Sequence, residues 1–290
     1  MRTASVLVIV VTYNGMKWID RCVSGVMASN MPADLMVIDN CSTDGTPEHI
    51  AKAYPAVLLQ RSSENLGFGK ANNIGMKYAY ESGYDYVYLL NQDAWVMPET
   101  IGDLWQAMER HPEYGVLSPV QMTASMKIPD ARFSEKCLAK SLDSYKDGIL
   151  YEVPFVMAAH WLISRRCMET VGGFSPVFPH YGEDDNYVHR AIYHGFKVGF
   201  LMGTYAVHDR EDRPYSRTSV MKRKLIIAKT KVCNPNRNIL VSLLVQPLEM
   251  SAVAIRHMSW TVFASIFSLL ASYKTLMRSR RESMRPGAFL

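Results

Sequence analysis

Val6–Val11, Leu35–Ile38, Ala56–Leu59 and Tyr84–Leu90 are short apolar runs rich in β-branched and aromatic residues. Between them lie polar or amphipathic segments of helical length. The first predicted helix starts near Lys17 and ends near Asn30. The second starts at Thr46-Pro47-Glu48, where a proline early in the helix gives up an N–H that has no partner anyway. The third runs from about Phe68 to Ser82 and closes at Gly83; the fourth follows Pro98 and stops before His111. Strand alternating with helix predicts an α/β protein with a mainly parallel sheet covered on both faces. These units fill residues 1–115.

From Tyr114 to Tyr151 the pattern weakens. Short strands are predicted at Gly115–Val120 and Ala131–Lys136, followed by a Lys/Asp/Ser-rich surface excursion around residues 140–148. Val153–Ser164 then reads as strand, Arg165–Val171 as a short helix, Gly172-Gly173 as a turn, and Asp184 to His194 as a helix. The body ends just after Val207-His208, which divides the chain into residues 1–210, in two halves (1–115 and 116–210), and a tail, 211–290. In the tail Met258–Tyr273 is free of charge over sixteen residues, short of the ~20 that span a bilayer. A helix lying in the plane of a surface is the expectation, flanked by Arg278, Arg280, Arg281 and Arg285.

Charge sharpens that division. The 290 residues include 32 Lys or Arg and 27 Asp or Glu, and the excess is uneven: residues 1–209 carry a net −6 and residues 210–290 a net +11. An acidic body is a poor partner for nucleic acid, whereas a basic tail beside apolar helices suits an anionic membrane surface. The competing reading packs those helices on the body or on a second copy of the chain, as a homo-oligomer. Five scattered cysteines with no C-x-x-C pair argue against zinc ribbons and dithiol centres and fit a reducing compartment. The short N-terminal apolar run, with no small-residue cleavage site, reads as a buried strand. The expected location is therefore cytoplasmic, peripheral on the inner face of the cell membrane.

Open α/β sheets bind ligands at the carboxyl ends of their strands. The first strand ends in Thr12-Tyr13-Asn14-Gly15, and neither G-x-G-x-x-G nor G-x-x-x-x-G-K-[ST] follows, which disfavours dinucleotide oxidoreductases and P-loop phosphotransferases. Asp39, ending the second strand, can accept hydrogen bonds from a nucleobase or ribose; Asp44 reads better as a turn or cap residue. In Asn65-Leu66-Gly67-Phe68-Gly69-Lys70-Ala71-Asn72, glycines allow close backbone approach and the helix start offers N–H groups to anionic oxygens. The fourth strand ends in Asn91-Gln92-Asp93, and a carboxylate there can hold Mg2+ or Mn2+ with few protein ligands, leaving room for diphosphate oxygens.

In this order these segments resemble the inverting family 2 glycosyltransferases of GT-A fold, rhamnosyltransferase-like bacterial enzymes among them, over residues 5–210. Ala158-Ala159-His160-Trp161, Gly172-Gly173-Phe174 and Tyr181-Gly182-Glu183-Asp184 are similar to that family's acceptor half. The resemblance implies that Thr12, Tyr13, Asn14, Asp39, Asn65, Gly67, Lys70, Asn72 and Asn91 contact a nucleoside-diphosphate sugar and that Asp93 ligates Mg2+ or Mn2+. It implies a metal or diphosphate contact at His208 and a catalytic pair in Glu183 and Asp184; Trp161, beside these motifs, either offers a flat face to an acceptor sugar or packs beneath the Gly172-Gly173 turn. Asp184 is the expected base, with Glu183 as alternative or acceptor-orienting residue. Asn91 and Asn186 stand where many relatives carry aspartate. The implied reaction is metal-dependent, inverting hexosyl transfer to a hydroxyl of a glycan or lipid-linked acceptor in surface polysaccharide synthesis. A sugar nucleotidyltransferase is disfavoured by the missing glycine-rich loop. A non-catalytic membrane-associated relative is disfavoured by the intact Asp39, Asp93, Glu183 and Asp184.

Overall fold

A computed structural model describes residues 4–210 and 217–290. In chain order the first half comprises β1 (Val6–Thr12), α1 (Ile19–Met27), β2 (Asp34–Asp39), α2 (Thr46–Ala53), β3 (Leu58–Arg61), α3 (Phe68–Glu81), β4 (Tyr86–Asn91), β5 (Ala94–Val96) and α4 (Thr100–Arg110). The second half adds β6 (Tyr114–Met122), α5 (Ala131–Cys137), β7 (Leu150–Glu152), β8 (His160–Ser164), α6 (Arg165–Val171), α7 (Glu183–Tyr193) and β9 (Lys197–His208). The strands form one sheet in the order β3-β2-β1-β4-β8-β6-β9-β5, with β7 also on β9. β1 to β4 pair in parallel, and β8 is the antiparallel strand between β4 and β6.

The unbroken apolar run of β1 serves both faces of the sheet. Leu7 and Ile9 pack with Ala71, Met76 and Ala79 of α3, whereas Val6, Val8 and Val10 pack with Ile19 and Val23 of α1 and Leu104 of α4. Successive side chains of a strand point to opposite faces, so a strand buried on both sides needs every position apolar.

Three local expectations are corrected. Ala131–Lys136 is helix: Asp130 Oδ1 accepts the N–H groups of Arg132 (2.8 Å) and Phe133 (2.9 Å), and this N-cap starts α5. Of Val153–Ser164, only His160–Ser164 is strand. The chain must cross from β7 at the rim to β8 inside the sheet, so Val156, Met157 and Ala158 are buried in a loop. β3 starts two residues later than Ala56, because the Val57 N–H closes a turn on the Tyr54 carbonyl.

The tail forms α8 (Arg217–Cys233), α9 (Ile239–Arg256) and α10 (Trp260–Ser283), with a core of Ala228, Val232, Met250, Ala254, Val262 and Leu269 that also takes in Phe178 of the body. By length and composition α9 could cross a membrane, and about a fifth of it is buried. Arg280, expected at an anionic surface, is instead buried and donates to the carbonyls of Val232, Asn234, Pro235 and Arg237, the end of α8 and the loop beyond it. Beyond α10 the chain returns to the body. Ala288 O accepts from Gly173 N–H (2.9 Å) and from buried Arg190 (3.3 Å), and Asn73 Nδ2 donates to Phe289 O (3.3 Å).

Candidate active site

Parallel pairing of β1 with β2 and β4 sets Thr12 opposite Asp39 and Val11 opposite Asn91, so three strand ends meet at one edge. Asp39 is buried there. Its Oδ2 accepts the Ser42 N–H (3.0 Å), while Oδ1 has no protein partner. A buried carboxylate oxygen without a partner is suited to a ligand N–H or O–H. The Thr12-Tyr13-Asn14 loop is stitched to Gln92, a residue sequence reasoning passed over: Gln92 Oε1 accepts from Thr12 Oγ1 and from Tyr13 N–H, both at 2.8 Å. Asn14 takes a left-handed conformation (φ 50°), and its Oδ1 accepts the Thr43 N–H at 2.9 Å. The Tyr13 ring is exposed.

The glycine-rich segment has a different job from the phosphate cradle expected of it. Asn65 Oδ1 accepts from Gly67 N–H (2.9 Å) and from Asn40 Nδ2 (3.0 Å), which organises the loop. Gly67 has φ 77°, and a Cβ there would strike the Pro179 carbonyl oxygen. Glycine is thus required because the loop before α7 lies on it. Asn72 is buried and donates to Phe68 O at 2.9 Å. Both Gly67 and Asn72 are closed off from a donor by protein, whereas Lys70, in the first turn of α3, is exposed. The acceptor reading of Trp161 is corrected as well: it is fully buried, stacked on Phe174 (6.1 Å, 12°) and tilted against Tyr187 (5.6 Å). It is core beneath the Gly172-Gly173 turn and offers no face to a sugar.

β5 pairs antiparallel with the end of β9, setting Ala94 opposite His208, and the Asp209 N–H donates to Asp93 O at 2.8 Å. His208 Nε2 stands 3.6 Å from Asp93 Oδ1, and its Nδ1 faces Asp130 Oδ2 at 4.0 Å. Below them, His160 Nε2 bonds Val207 O (2.9 Å) and Nδ1 bonds Tyr88 OH (3.0 Å). Burial pushes the His160 pKa down to about 3. A neutral imidazole then donates from Nε2, accepts at Nδ1, and ties down the strand end that carries His208. Burial pushes the Asp93 carboxyl up, but the hydrogen bond and charge of His208, with Arg210, outweigh it and hold it below the usual carboxylate range.

Two donors of this kind fit a hard divalent cation. Asp93 Oδ1 and His208 Nε2 are the donors that would hold it; Asp130 Oδ2 lies 4.0 Å from the far imidazole nitrogen, which has no hydrogen-bond partner, on the side where a metal-bound histidine usually finds its supporting carboxylate. Among the described residues no three His, Cys, Asp or Glu side chains converge into a complete metal cage. The rest of the coordination sphere would come from substrate oxygens and water.

Glu183, Asp184 and Asp185 form the first turn of α7, where the N-terminal dipole favours negative charge. Gly182 (φ 87°) starts the helix under α8; a Cβ there would lie 2.7 Å from Thr230 Cγ2. Asp184 Oδ1 accepts the Asp185 N–H at 2.9 Å. Burial raises the Asp184 pKa, and the charges of Arg132 and Arg210 oppose that rise. Burial, then the Asp184 charge, takes Asp185 to about 6 and Glu183 to about 8. Arg210 therefore acts on both Asp93 and Asp184, and Arg132 on all three carboxylates of α7. Asp130, Arg132 and Arg210 were absent from the sequence-based set. The signal for Arg210 was its place two residues beyond His208.

Glu183 is buried and its Oε2 lacks a partner. Between the ordinary glutamate value, about 4.3, and about 8, the folded protein keeps a proton that the unfolded chain has released. Stability contributed by this group is therefore lost as pH rises through that window. Glu183→Gln, which mimics the protonated acid, is expected to match the parent near pH 4 and to exceed it in Tm by several degrees at pH 9. Scanning calorimetry across pH checks this, and a gap independent of pH would contradict it.

The comparisons with known proteins bear on this geometry. The family model described as Glycosyl transferase family 2 matches residues 7–172, which run from β1 through α6. The chain belongs to that family. A curated relative, the N-acetylglucosaminyl-diphospho-decaprenol L-rhamnosyltransferase of Mycobacterium tuberculosis, is 33% identical over 122 residues, 39% of this chain and 40% of that protein. Poly(ribitol-phosphate) beta-N-acetylglucosaminyltransferase TarS of Staphylococcus aureus is 26% identical over 134 residues, 44% of this chain and 23% of TarS. The matched part is thus well under half of either relative. Among solved structures, S. aureus TarS 1–349 in complex with UDP-GlcNAc superposes with TM-score 0.60 at 17% identity, covering 97% of this chain and 84% of that one. The mannosyltransferase PcManGT of Pyrobaculum calidifontis, in complex with GDP-Man and Mn2+, gives 0.58 at 19% identity, covering 95% and 84%. The family 2 chain has the GT-A fold, with a central sheet flanked by helices.

Proposed function

We propose that this family 2 protein is an inverting, metal-dependent glycosyltransferase that moves a sugar from a nucleoside-diphosphate sugar to a hydroxyl of a glycan or lipid-linked acceptor. The observation that carries the reading is the meeting of strand ends at one edge, where buried Asp39 keeps an unpartnered Oδ1 and Asp93 faces His208 at 3.6 Å. Asp39, with its free Oδ1, takes the base or ribose, and Thr12, Tyr13 and Asn14 form the neighbouring wall. Asn65, Lys70 and Asn91 complete the proposed donor side.

A hydroxyl is a weak nucleophile. Asp184 accepts its proton as the oxygen bonds to the anomeric carbon, and the bond to the diphosphate oxygen breaks on the opposite face, inverting the centre. Glu183, protonated through neutral pH, orients the acceptor and does not compete as base. Asp93 and His208 would hold Mg2+ or Mn2+, which when bound neutralises charge on the departing diphosphate. Arg210 adds a cation whose charge reaches Asp93.

Membrane contact through the tail is part of the proposal. Leu244, Leu248, Trp260 and Phe267 of α9 and α10 are 64–77% exposed, and apolar faces of this kind on a basic helical tail bind anionic surfaces. Supporting acceptor chemistry comes from the relatives, which carry decaprenol-linked and polymer acceptors in their names.

A thermal-shift panel of UDP, GDP and dTDP with and without Mn2+ tests the donor side. One nucleotide is expected to raise Tm by several degrees, and only with metal. Stabilisation by NAD or by a nucleoside triphosphate alone would overturn the reading.

A further inference from the structure

α8 lies between the catalytic helix and the apolar hairpin. On one side its Ile226 and Thr230 close on Gly182, the residue that begins α7; a Cβ at Gly182 would meet their methyl carbons at 2.9 and 2.7 Å. On the other side Ala228, Val232 and Cys233 are buried among residues of α9 and α10. Six of the seventeen residues of α8 are Lys or Arg and none is acidic. Arg223 lies over the ring of Tyr181 at 5.1 Å, and Tyr181 is three residues ahead of Asp184. Tyr181 is 55% exposed and is held at φ 64°, a conformation that costs a bulky residue energy and needs support from its surroundings. Arg223 and the seat of Gly182 on α8 supply that support.

From the active centre outward the molecule therefore presents a base, then a basic helix, then an exposed apolar surface. We propose that Arg223, with the basic charge of α8 around it, forms the subsite for the diphosphate of an acceptor whose sugar is carried on a long-chain lipid diphosphate. The proposal rests on the reading of Asp184 as base. Such an acceptor has the same order of parts: a sugar hydroxyl at the base, a diphosphate one sugar away, and an apolar chain beyond it. A guanidinium forks phosphate oxygens with its N–H edge, while stacking on tyrosine uses its face, so the two contacts are compatible. A neutral glycan has no use for the charge of α8. A polyol-phosphate polymer has no use for the apolar faces of α9 and α10.

The test uses the full chain in EDTA, so that no metal bridges phosphate to Asp93, and compares farnesyl diphosphate with farnesol by calorimetric titration. The parent is expected to bind the diphosphate at least tenfold more tightly. Arg223→Ala/Lys224→Ala erases that difference, whereas Arg223→Lys/Lys224→Arg keeps most of it. Both variants retain the thermal shift given by nucleoside diphosphate with Mn2+, which reports folding and an intact donor site. A tenfold preference that survives the double alanine variant overturns the proposal. So does a variant that stops adsorbing to phosphatidylglycerol vesicles yet keeps the preference, because α8 then reads bulk lipid charge. Full turnover by Asp184→Asn would remove the base assignment and leave the farnesyl diphosphate comparison untouched, so the two failures are distinguishable.

Discussion

Asp184→Asn is expected to lower kcat/KM for sugar transfer by ~10^2 to 10^4-fold, the range in which a positioned general base contributes, with nucleoside-diphosphate affinity unchanged. The amide has the size of the carboxylate and keeps an oxygen to accept the Asp185 N–H, so the start of α7 is preserved. What it loses is the capacity to take a proton. Burial raises the Asp184 pKa, with Arg132 and Arg210 pulling against it. Parent activity should therefore fall on the acid side at a pH above the free aspartate value of about 3.9. Removing the Arg132 charge should move that limb to higher pH, because the ionised base loses a stabilising cation. The check is product formation by the full chain with the donor found in the nucleotide panel, over pH 5 to 9. Turnover by Asp184→Asn within threefold of the parent would transfer the base role elsewhere, with Asp185 next in line.

How much of this was legible in the sequence depends on whether a residue acts through its neighbours in sequence or in space. β1, β2, β4 and the helices at Thr46, Phe68 and Thr100 follow from local period and from turn residues, and they lie within one or two residues of expectation. Asp39, Asp93, Glu183 and Asp184 were singled out by their places at strand ends and a helix start and by their likeness to family motifs, and the structure puts Asp39 at the end of β2, Asp93 just beyond β4, and Glu183 and Asp184 in the first turn of α7. The acceptor reading of Trp161 and the donor reading of Gly67 fail for one reason: an aromatic ring or a glycine looks the same in sequence whether it faces a ligand or another part of the chain. Phe174 and Tyr187 bury the Trp161 ring, and the Pro179 carbonyl fills the space over Gly67. Asp130 was hidden differently. It lies 78 positions before His208 and directly precedes a segment read as strand, so both its cap and its approach to the imidazole needed the folded chain. The tail was divided from the body by charge, yet Ala288 and Phe289 bond back to Gly173 and Asn73 through backbone carbonyls, which every sequence possesses and no composition reveals.

Asp93→Asn is expected to abolish the Mn2+-dependent part of nucleoside-diphosphate binding, and with it nearly all transfer. Of the two donors that face each other at 3.6 Å, Asp93 carries the formal charge, and Asn91 beside it is already neutral. One further neutralisation leaves His208 as the sole protein ligand, too few for a hard cation that prefers anionic oxygen. Asp130→Asn should act more gently, by ~10-fold or less in metal affinity, because Asp130 stands 4.0 Å from His208 Nδ1, outside hydrogen-bond distance, and does not touch the ion. The ordering is the informative part. If Asp93 and His208 were only an ion pair closing the end of β9, both variants would lower Tm in EDTA, and Mn2+ would leave the parent unchanged. If they form a cation site, Mn2+ titrations in the presence of the preferred nucleoside diphosphate separate parent, Asp130→Asn and Asp93→Asn in that order, beyond the fall of Tm in EDTA that Asp93→Asn brings by losing a carboxylate with a lowered pKa.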